Sequence, residues 1–292
     1  MAITQVNTPL EVYATTDAGF RIWGKAWTDT MYSLGFTQEY SNIDWTTVTM
    51  PTVASTYAGK RVYKFNDSLS STREIYVSLE FGRIVLATPR VSFGIRMTVG
   101  TSHSSGTVTG GTITNYLSTW GSSADVGEII GVKTDFGFAL LSNIPFSTDQ
   151  YQAALLVERV RKDGSASADG VLTFMCGSSV NSTSTAATAG LLTQVANYKA
   201  NTVYAAAGNG SPMSALASTT DPSYDGETPV YQVHTFGGYD PYFGVICAAY
   251  NYGAAQIFTA TVDGVSGKYR TLNGGAWDGT PQRFRQAFRI PD

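Results

Sequence analysis

The apolar positions near the start of the chain follow the period of an α-helix. In TDAGFRIWGKAWTDTMYSLG, residues 16 to 35, the large apolar side chains recur at spacings of three and four: Phe20, Trp23, Trp27, Met31 and Leu34. This spacing places them on one face of a helix. Thr16 or Asp17 is suited to cap the start of the helix, and Gly35 is suited to end it.

The predicted helix is weakened by two internal glycines, Gly19 and Gly24, each of which costs about 1 kcal/mol relative to alanine. Its tryptophan face must therefore be held by packing against something larger. We expect that partner to be either the sheet of the same chain or a neighbouring subunit.

After the helix the apolar positions change to a period of two, which is typical of β-strands. In EIYVSLEFG, residues 74 to 82, the side chains that share one face are Ile75, Val77, Leu79 and Phe81. SFGIRMTVG, residues 92 to 100, repeats this alternation, and we expect both strands in one sheet. Further strands are predicted at 62–65, 129–133, 136–142, 154–161, 171–176, 203–207, 230–235, 243–251, 255–263 and 283–289.

Many short strands separated by turn signals predict a mainly β protein, an antiparallel β-sandwich-like fold with one amphipathic N-terminal helix. The segment KDGSASADG between two strands reads as a hairpin loop, and residues 177–190 read as a loop of low complexity. We expect residues 1–60 to form an arm and a helix packed on the sheet or on a neighbour, and residues 61–292 to form the body. A weak boundary signal lies near 143–150.

The charge content limits the class of partner. Charged residues make up 14% of the chain, against roughly 25% in typical soluble domains. A net charge of −3 gives no basic surface for a phosphate backbone, so no nucleic-acid partner is expected. Arg283, Arg285 and Arg289 cluster near the C-terminus, where a solvated or interfacial strand face is favoured over an anion site.

The hydropathy pattern predicts neither membrane insertion nor secretion. The longest apolar stretches, such as residues 136–141, are far shorter than the roughly 18 residues that a membrane helix needs. The first residues have neither a basic region nor a continuous apolar core of a signal peptide. We therefore expect synthesis and folding in a cytoplasm.

Residues suited to catalysis are few, and no enzymatic activity, cofactor or metal is expected. The two histidines read as a surface imidazole at His103, in a glycine- and serine-rich loop, and a hydrogen-bonded sheet residue at His234. The two cysteines, Cys176 and Cys247, lie in separate apolar runs and read as buried free thiols. No phosphate-binding loop, nucleophile elbow or zinc-protease motif occurs.

Acidic residues close in sequence remain candidates for paired carboxylates, because such pairs form in space. The local pairs are Asp125 with Glu128 and Asp221 with Asp225. Both lie in turn-like sequence, where aspartate mainly serves backbone geometry, so the structural interpretation is favoured.

Aromatic side chains are concentrated in TFGGYDPYFGVICAAYNYG, residues 235 to 253. The glycine- and proline-containing part is predicted to be a turn that holds Tyr239, Tyr242 and Phe243 close together. These rings either plug the end of a sandwich or stand out as contact residues, because rings give a large contact area at low entropic cost. Stacking on a sugar is one form of such contact.

The N-terminal sequence resembles a group of virion structural proteins of tailed bacteriophages. The resemblance is carried by ITQVNTPLEVYATTDAGFRIWGKAWTDTMYSLGF, then IDWTTVTMP, then GKRVYKFNDSLSSTREIYVSLEFG. In that group an ATTDAGFR-W helix is followed by an I-W segment and a Y-FND-L--T-PI strand pair. The likeness covers about the first 100 residues. Arg73 stands where the group has proline or a small residue, which predicts a different turn there.

The resemblance implies a virion component of the tail, baseplate or a fibre-like appendage, and no defined enzymatic activity. The expected partners are other copies of the chain and other virion proteins, and the expected location is the virion. The candidate interface residues are Trp23, Trp27, Tyr239, Tyr242 and Phe243. The extended segment 2–13 is a second candidate, because an arm can add a strand to a neighbour's sheet. The alternatives are a host-receptor or glycan-binding module at the tail tip, and a capsid decoration or neck protein.

Overall fold

The structure is a computed structural model. It describes residues 2–10, 16–53, 56–85, 91–110, 113–118, 127–143, 153–162, 168–179, 185–193, 199–200, 230–231, 239–241, 246–250, 257–262, 265–271 and 284–292. Across these ranges the regular structure is one α-helix and otherwise β-strands, and every strand pairing is antiparallel. The mainly β, antiparallel fold class with one N-terminal helix is therefore confirmed.

Helix α1 spans Asp17–Ser33 and begins and ends as the sequence predicts. The Thr16 hydroxyl accepts a hydrogen bond from the Gly19 amide at 3.2 Å, which satisfies one of the free donors of the first turn. Gly35 has a φ of +76°, in the left-handed region that favours glycine, and its amide donates to the Tyr32 carbonyl at 2.8 Å.

The strands before residue 120 are β1 (Thr4–Leu10), β2 (Thr37–Ser41), β3 (Thr56–Lys64), β4 (Tyr76–Val85), β5 (Val91–Gly100), β6 (Ser102–Ser104), β7 (Thr107–Thr109) and β8 (Ile113–Ser118). The strands that follow are β9 (Gly127–Lys133), β10 (Gly137–Asn143), β11 (Ala153–Lys162), β12 (Ala168–Ser179), β13 (Thr185–Thr193) and β14 (Lys199–Ala200). The last strands are β15 (Val230–Tyr231), β16 (Tyr239–Pro241), β17 (Ile246–Tyr250), β18 (Ile257–Val262), β19 (Val265–Thr271) and β20 (Phe284–Ile290).

One large sheet contains most of these strands. Its order is β1-β9-β10-β11-β12-β8-β5-β4-β3-β2, and β13, β14 and β16 branch from it. A five-stranded sheet has the order β15-β17-β20-β19-β18, and β6 pairs with β7 alone. Within the described residues, β1 and β2 are therefore the two edges of the main strand path.

The core lies between α1 and both ends of the main sheet. The Trp23 ring centroid lies 5.7 Å from that of Phe81 in β4 and 5.2 Å from that of Phe93 in β5. At the other end, the ring of Phe138 in β10 lies 5.0 Å from Phe36 and 5.2 Å from Phe65. These residues belong to one cluster, so the sheet curves and its ends face each other across the helix.

The alternation predicted for β4 and β5 is confirmed. Their core-facing side chains are all fully buried: Ile75, just before β4, with Val77, Leu79, Phe81, Phe93, Ile95, Met97 and Val99. The two strands pair directly, with Val77 opposite Val99. The helix therefore packs against the sheet of its own chain, and the described part of residues 1–60 shares one core with the strands that follow.

Two sequence predictions about loops are corrected. Residues 185–190 belong to β13, which pairs with β12 from Thr185 opposite Ser178 to Thr193 opposite Gly170. Small and polar residues in TAATAG carry no alternation of large apolar side chains, so the strand had no sequence signal. Tyr239–Pro241 was predicted to lie in a turn, but it forms β16 on the edge of β11.

The weak boundary signal near 143–150 lies between two strands of the same sheet. β10 and β11 lie on either side of it and pair directly, with Phe138 opposite Val157. The predicted hairpin after β11 is confirmed by its topology, because β11 and β12 pair from Ala153 opposite Gly177 to Arg161 opposite Ala168. The strand predicted at 203–207 lies outside the described residues.

Candidate functional site

The N-terminal strand β1 forms one edge of the main sheet. It pairs with β9 without a register shift, from Thr4 opposite Lys133 to Leu10 opposite Gly127. The extended arm predicted at 2–13 is therefore a strand of the chain's own sheet over Thr4–Leu10. The alternation of the strand places Val6, Thr8 and Leu10 toward the core.

The side chains of β1 make both polar and apolar contacts with the body. The Asn7 amide donates to Glu128 Oε2 at 2.7 Å, and the hydroxyls of Thr8 and Thr30 lie 2.7 Å apart. Leu10 is buried, Val6 and Thr8 are half-buried, and Asn7 and Pro9 are exposed. The backbone ladder to β9 therefore supplies much of what holds this edge in place.

The opposite edge, β2, differs because it is interrupted and partly covered. The register with β3 shifts between Gln38 and Tyr40, so Glu39 is a bulged residue. Gly106, in the turn of the β6–β7 hairpin, lies so close to the Tyr40 ring that a Cβ added to Gly106 would overlap the ring. Bulges, charges and covering segments are devices that hinder strand addition at sheet edges.

A small cluster of aromatic and charged groups lies beside this covered edge. The His103 ring packs on Tyr76 with centroids 4.6 Å apart, and its Nε2 lies 3.9 Å from the Glu39 carboxylate. A hydrogen bond from Lys64 Nζ, at 2.5 Å, lowers the pKa of Glu74. Burial, followed by the hydrogen bond to Glu74, raises the pKa of Tyr76 to about 12.

His103 therefore occupies a different position from the one predicted. It lies in β6 and is half-buried against an aromatic ring, whereas the sequence predicted a surface imidazole in a loop. The hairpin was missed because SHS and TVT are too short to show a period. His234 lies outside the described residues, so its interpretation remains a prediction.

Trp23 and Trp27 are placed in the interior and not on a surface. Both are fully buried in the main core, which also contains Phe20, Met31 and Leu34 from the same helical stretch. Neither ring is accessible to a partner in this fold. The structure therefore removes both tryptophans from the candidate interface and gives them a packing role.

The aromatic turn lies mostly beyond the described residues. Tyr239 begins β16 and pairs with Lys162 of β11, but its side chain is not described. Tyr242 and Phe243 lie outside the described residues. Whether these three rings plug the fold or contact a partner remains a prediction.

In the C-terminal arginine cluster, Arg289 does not lie on a solvated face. Its side chain is buried, its Nη2 donates to the Ser266 carbonyl at 3.1 Å, and its guanidinium carbon lies 5.4 Å from the centre of the Tyr269 ring. Arg283 and the side chain of Arg285 lie outside the described residues. The stacked arginine has a structural role within the five-stranded sheet.

The remaining candidates for chemistry do not form a site in the described part of the chain. Glu128 binds Asn7, whereas Asp125, Asp221 and Asp225 lie outside the described residues. Cys176 and Cys247 lie in β12 and β17, strands of different sheets, and their side chains are not described. No cluster of three potential metal ligands occurs among the described residues. In those same ranges, no helix has the length and apolar character needed to cross a membrane.

No residue of the arm predicted at 2–13 is among the candidate interface residues. A usable signal is present: TQVNT, residues 4 to 8, has the same chemical order in both directions about Val6. Thr4 matches Thr8, and Gln5 matches the other amide, Asn7.

No family model, curated protein or solved structure matches the chain.

Proposed function

We propose that this chain is a structural subunit of a bacteriophage virion, in the tail, baseplate or a fibre-like appendage. It acts through contacts with other copies of itself and with other virion proteins. The proposal is supported by the N-terminal resemblance and by the β1 edge of the large antiparallel sheet, which pairs with no further strand among the described residues. This edge is the observation that carries the proposal, since the unpaired side of an edge strand is a template for pairing with another chain.

The residues that carry the resemblance serve the fold. The Trp45 indole, from the I-W segment, donates to the Thr28 hydroxyl at 2.9 Å. Asn66 of the FND motif donates to the Gly35 carbonyl at 2.8 Å and to the Thr37 hydroxyl at 2.7 Å. These hydrogen bonds connect α1 to β2 and to the segments after β2 and β3. The resemblance therefore supports a shared architecture and brings no catalytic group.

The low charge content is consistent with a role in assembly. With 14% charged residues, the chain has fewer charges than a typical soluble domain. Fewer charges mean a smaller desolvation cost when copies or partners cover the surface. This composition suits a subunit that buries much of its surface in contacts, because the desolvation cost of those contacts is lower.

Gold-labelled antibody against this chain, imaged on intact particles of the phage whose genome encodes it, tests the proposal. We expect label at the distal tail. Label on the head or neck would instead identify a decoration or connector protein. Peptides of the chain should also be found by mass spectrometry of purified particles at stoichiometric amounts. Their absence from washed particles would overturn the virion role.

If the distal tail is labelled, host-cell adsorption separates a purely structural subunit from a receptor- or glycan-binding module. The structural role predicts that purified chain does not compete with particles for host cells. Competition, lost on Tyr242→Ala, would favour the binding module. Phe65→Ala, a core substitution, serves as the control for general loss of fold.

A further inference from the structure

The position of one proline shows which backbone groups of β1 point outward, and no strand of the described residues pairs with them. Within a sheet, proline is confined to positions where the missing N–H would point away from the ladder. Pro9 lies inside β1 opposite Glu128, in a register without a shift. Residues of the same parity, Gln5 and Asn7, therefore direct their N–H and C=O groups away from β9. No other described strand pairs with this edge.

Among the described residues, this edge has less protection than the other end of the sheet. The β2 edge contains the bulge at Glu39 and lies under the hairpin turn at Gly106. β1 contains one residue that hinders strand addition, Pro9 near its end, whereas residues 4–8 carry no charge, no bulge and no proline. Of the two edges, β1 is therefore the one that accepts an added strand.

The sequence of β1 fits one particular added strand, namely a second copy of itself. In an antiparallel pair centred on Val6, Thr4 lies opposite Thr8 of the other copy and Gln5 lies opposite Asn7. Each residue thus meets one of its own chemical kind, as a twofold interface requires. Cross-strand threonine pairs are favourable, and the absence of charge avoids repulsion between identical strands.

We propose that two copies of the chain associate by antiparallel pairing of their β1 strands about a twofold axis at Val6. The two sheets then continue into one another. In this register Gln5 and Asn7 of opposite copies exchange backbone hydrogen bonds, and the two Val6 residues form a non-hydrogen-bonded pair. The inference deepens the proposed function by naming the contact between copies, and it rests on the homo-oligomeric part of that function.

Crosslinking through cysteine tests the register. In a chain with Cys176 and Cys247 replaced by serine, Val6→Cys should form a disulfide-linked dimer under mild oxidation. The non-hydrogen-bonded pair brings Cα atoms to about 4.5 Å, which a disulfide spans. Thr4→Cys is the matched control, because Thr4 and its own copy would lie about 13 Å apart, four residues out of register. Equal crosslinking of the two variants would overturn the proposal.

A proline variant tests the hydrogen bonds without relying on new disulfides. Gln5→Pro removes an outward N–H and leaves the ladder to β9 intact, whereas Gln5→Ala removes the same side chain and keeps the N–H. In sedimentation experiments, Gln5→Pro should weaken self-association at least about tenfold relative to Gln5→Ala, because two of four backbone bonds are lost. Circular dichroism confirms that both variants are folded. Equal association of the two variants would overturn the inference.

The two tests also distinguish this inference from the virion role. Gold label on the particle together with equal association of Gln5→Pro and Gln5→Ala would leave the virion role standing and remove the twofold contact. A selective Val6→Cys dimer, with no chain in the particle, would do the reverse. Sedimentation of the unmodified chain as a monomer at every concentration would also remove the twofold contact.

Discussion

Arg159 of β11 and Asp67, in the segment after β3, form a two-bond ion pair enclosed by the fold. Arg159 Nε donates to Asp67 Oδ2 at 2.5 Å, and Nη2 donates to Oδ1 at 3.0 Å. Nη2 also donates to the Arg73 carbonyl at 2.7 Å. The two side chains are 2% and 0% exposed, so this pair connects the FND segment to the opposite end of the sheet without solvent screening.

Asp67→Asn should lower the free energy of unfolding by about 3 to 5 kcal/mol, because it leaves a buried guanidinium without its counter-charge. Urea denaturation of the purified chain measures the loss. Asp29→Asn is the matched control, since it breaks an exposed pair with Lys25 and should cost less than about 1 kcal/mol. Similar losses in both variants would contradict an enclosed pair. Replacing Asp67 and Arg159 together by apolar residues should recover part of the stability.

Gly24→Ala should destabilise the chain although alanine favours helices. A Cβ at this position would overlap the six-membered ring of Trp45, and both residues are buried. We expect the overpacking to exceed the gain of about 1 kcal/mol in helix propensity and to lower the melting temperature. In a Trp45→Phe background the overlapping atoms are absent, so the same substitution should cost less there. Equal effects in both backgrounds would show that the two residues do not contact each other.

Stability should fall at alkaline pH because of Tyr63. Burial raises the pKa of its phenol to about 12, from its ordinary value of 10.0. The contribution is fully present below pH 10 and is lost as the pH rises toward 12, since the unfolded phenol ionises first. The free energy of unfolding should fall by about 2 to 3 kcal/mol between pH 10 and pH 12. Unfolding curves from pH 8 to about 11 should show the unmodified chain losing stability relative to Tyr63→Phe, which has no phenol to ionise.

The turn of the β6–β7 hairpin should respond oppositely to two neighbouring substitutions. Ser105 has a φ of 47° and Gly106 a φ of 80°, the left-handed pair of a type I′ turn. Ser105→Gly should be neutral or raise the stability by a few tenths of a kcal/mol, because it relieves the non-glycine residue. Gly106→Ala should lower stability by about 1 kcal/mol or more, since it also meets the Tyr40 ring. Thermal unfolding of both variants gives the comparison.

Local regularities in the sequence were sufficient for the helix and for the strands with large alternating side chains. The Phe20–Trp23–Trp27 spacing and the Thr16 cap depend on residues within a few positions of one another, so the sequence determines them. The same is true of β4 and β5, where apolar residues at every second position fill one face. In these elements propensity, period and burial agree.

The sequence by itself determined the class of the fold and the helix. Only the tertiary structure decided that Trp23 and Trp27 face the chain's own sheet, that Asp67 meets Arg159, and that β1 pairs with β9. The last two contacts join residues about one hundred positions apart. The local period of a strand does not indicate which other strand it pairs with. Short polar strands such as β1 and β13 are held by backbone hydrogen bonds, which every residue type except proline can donate, so side-chain pattern does not mark them.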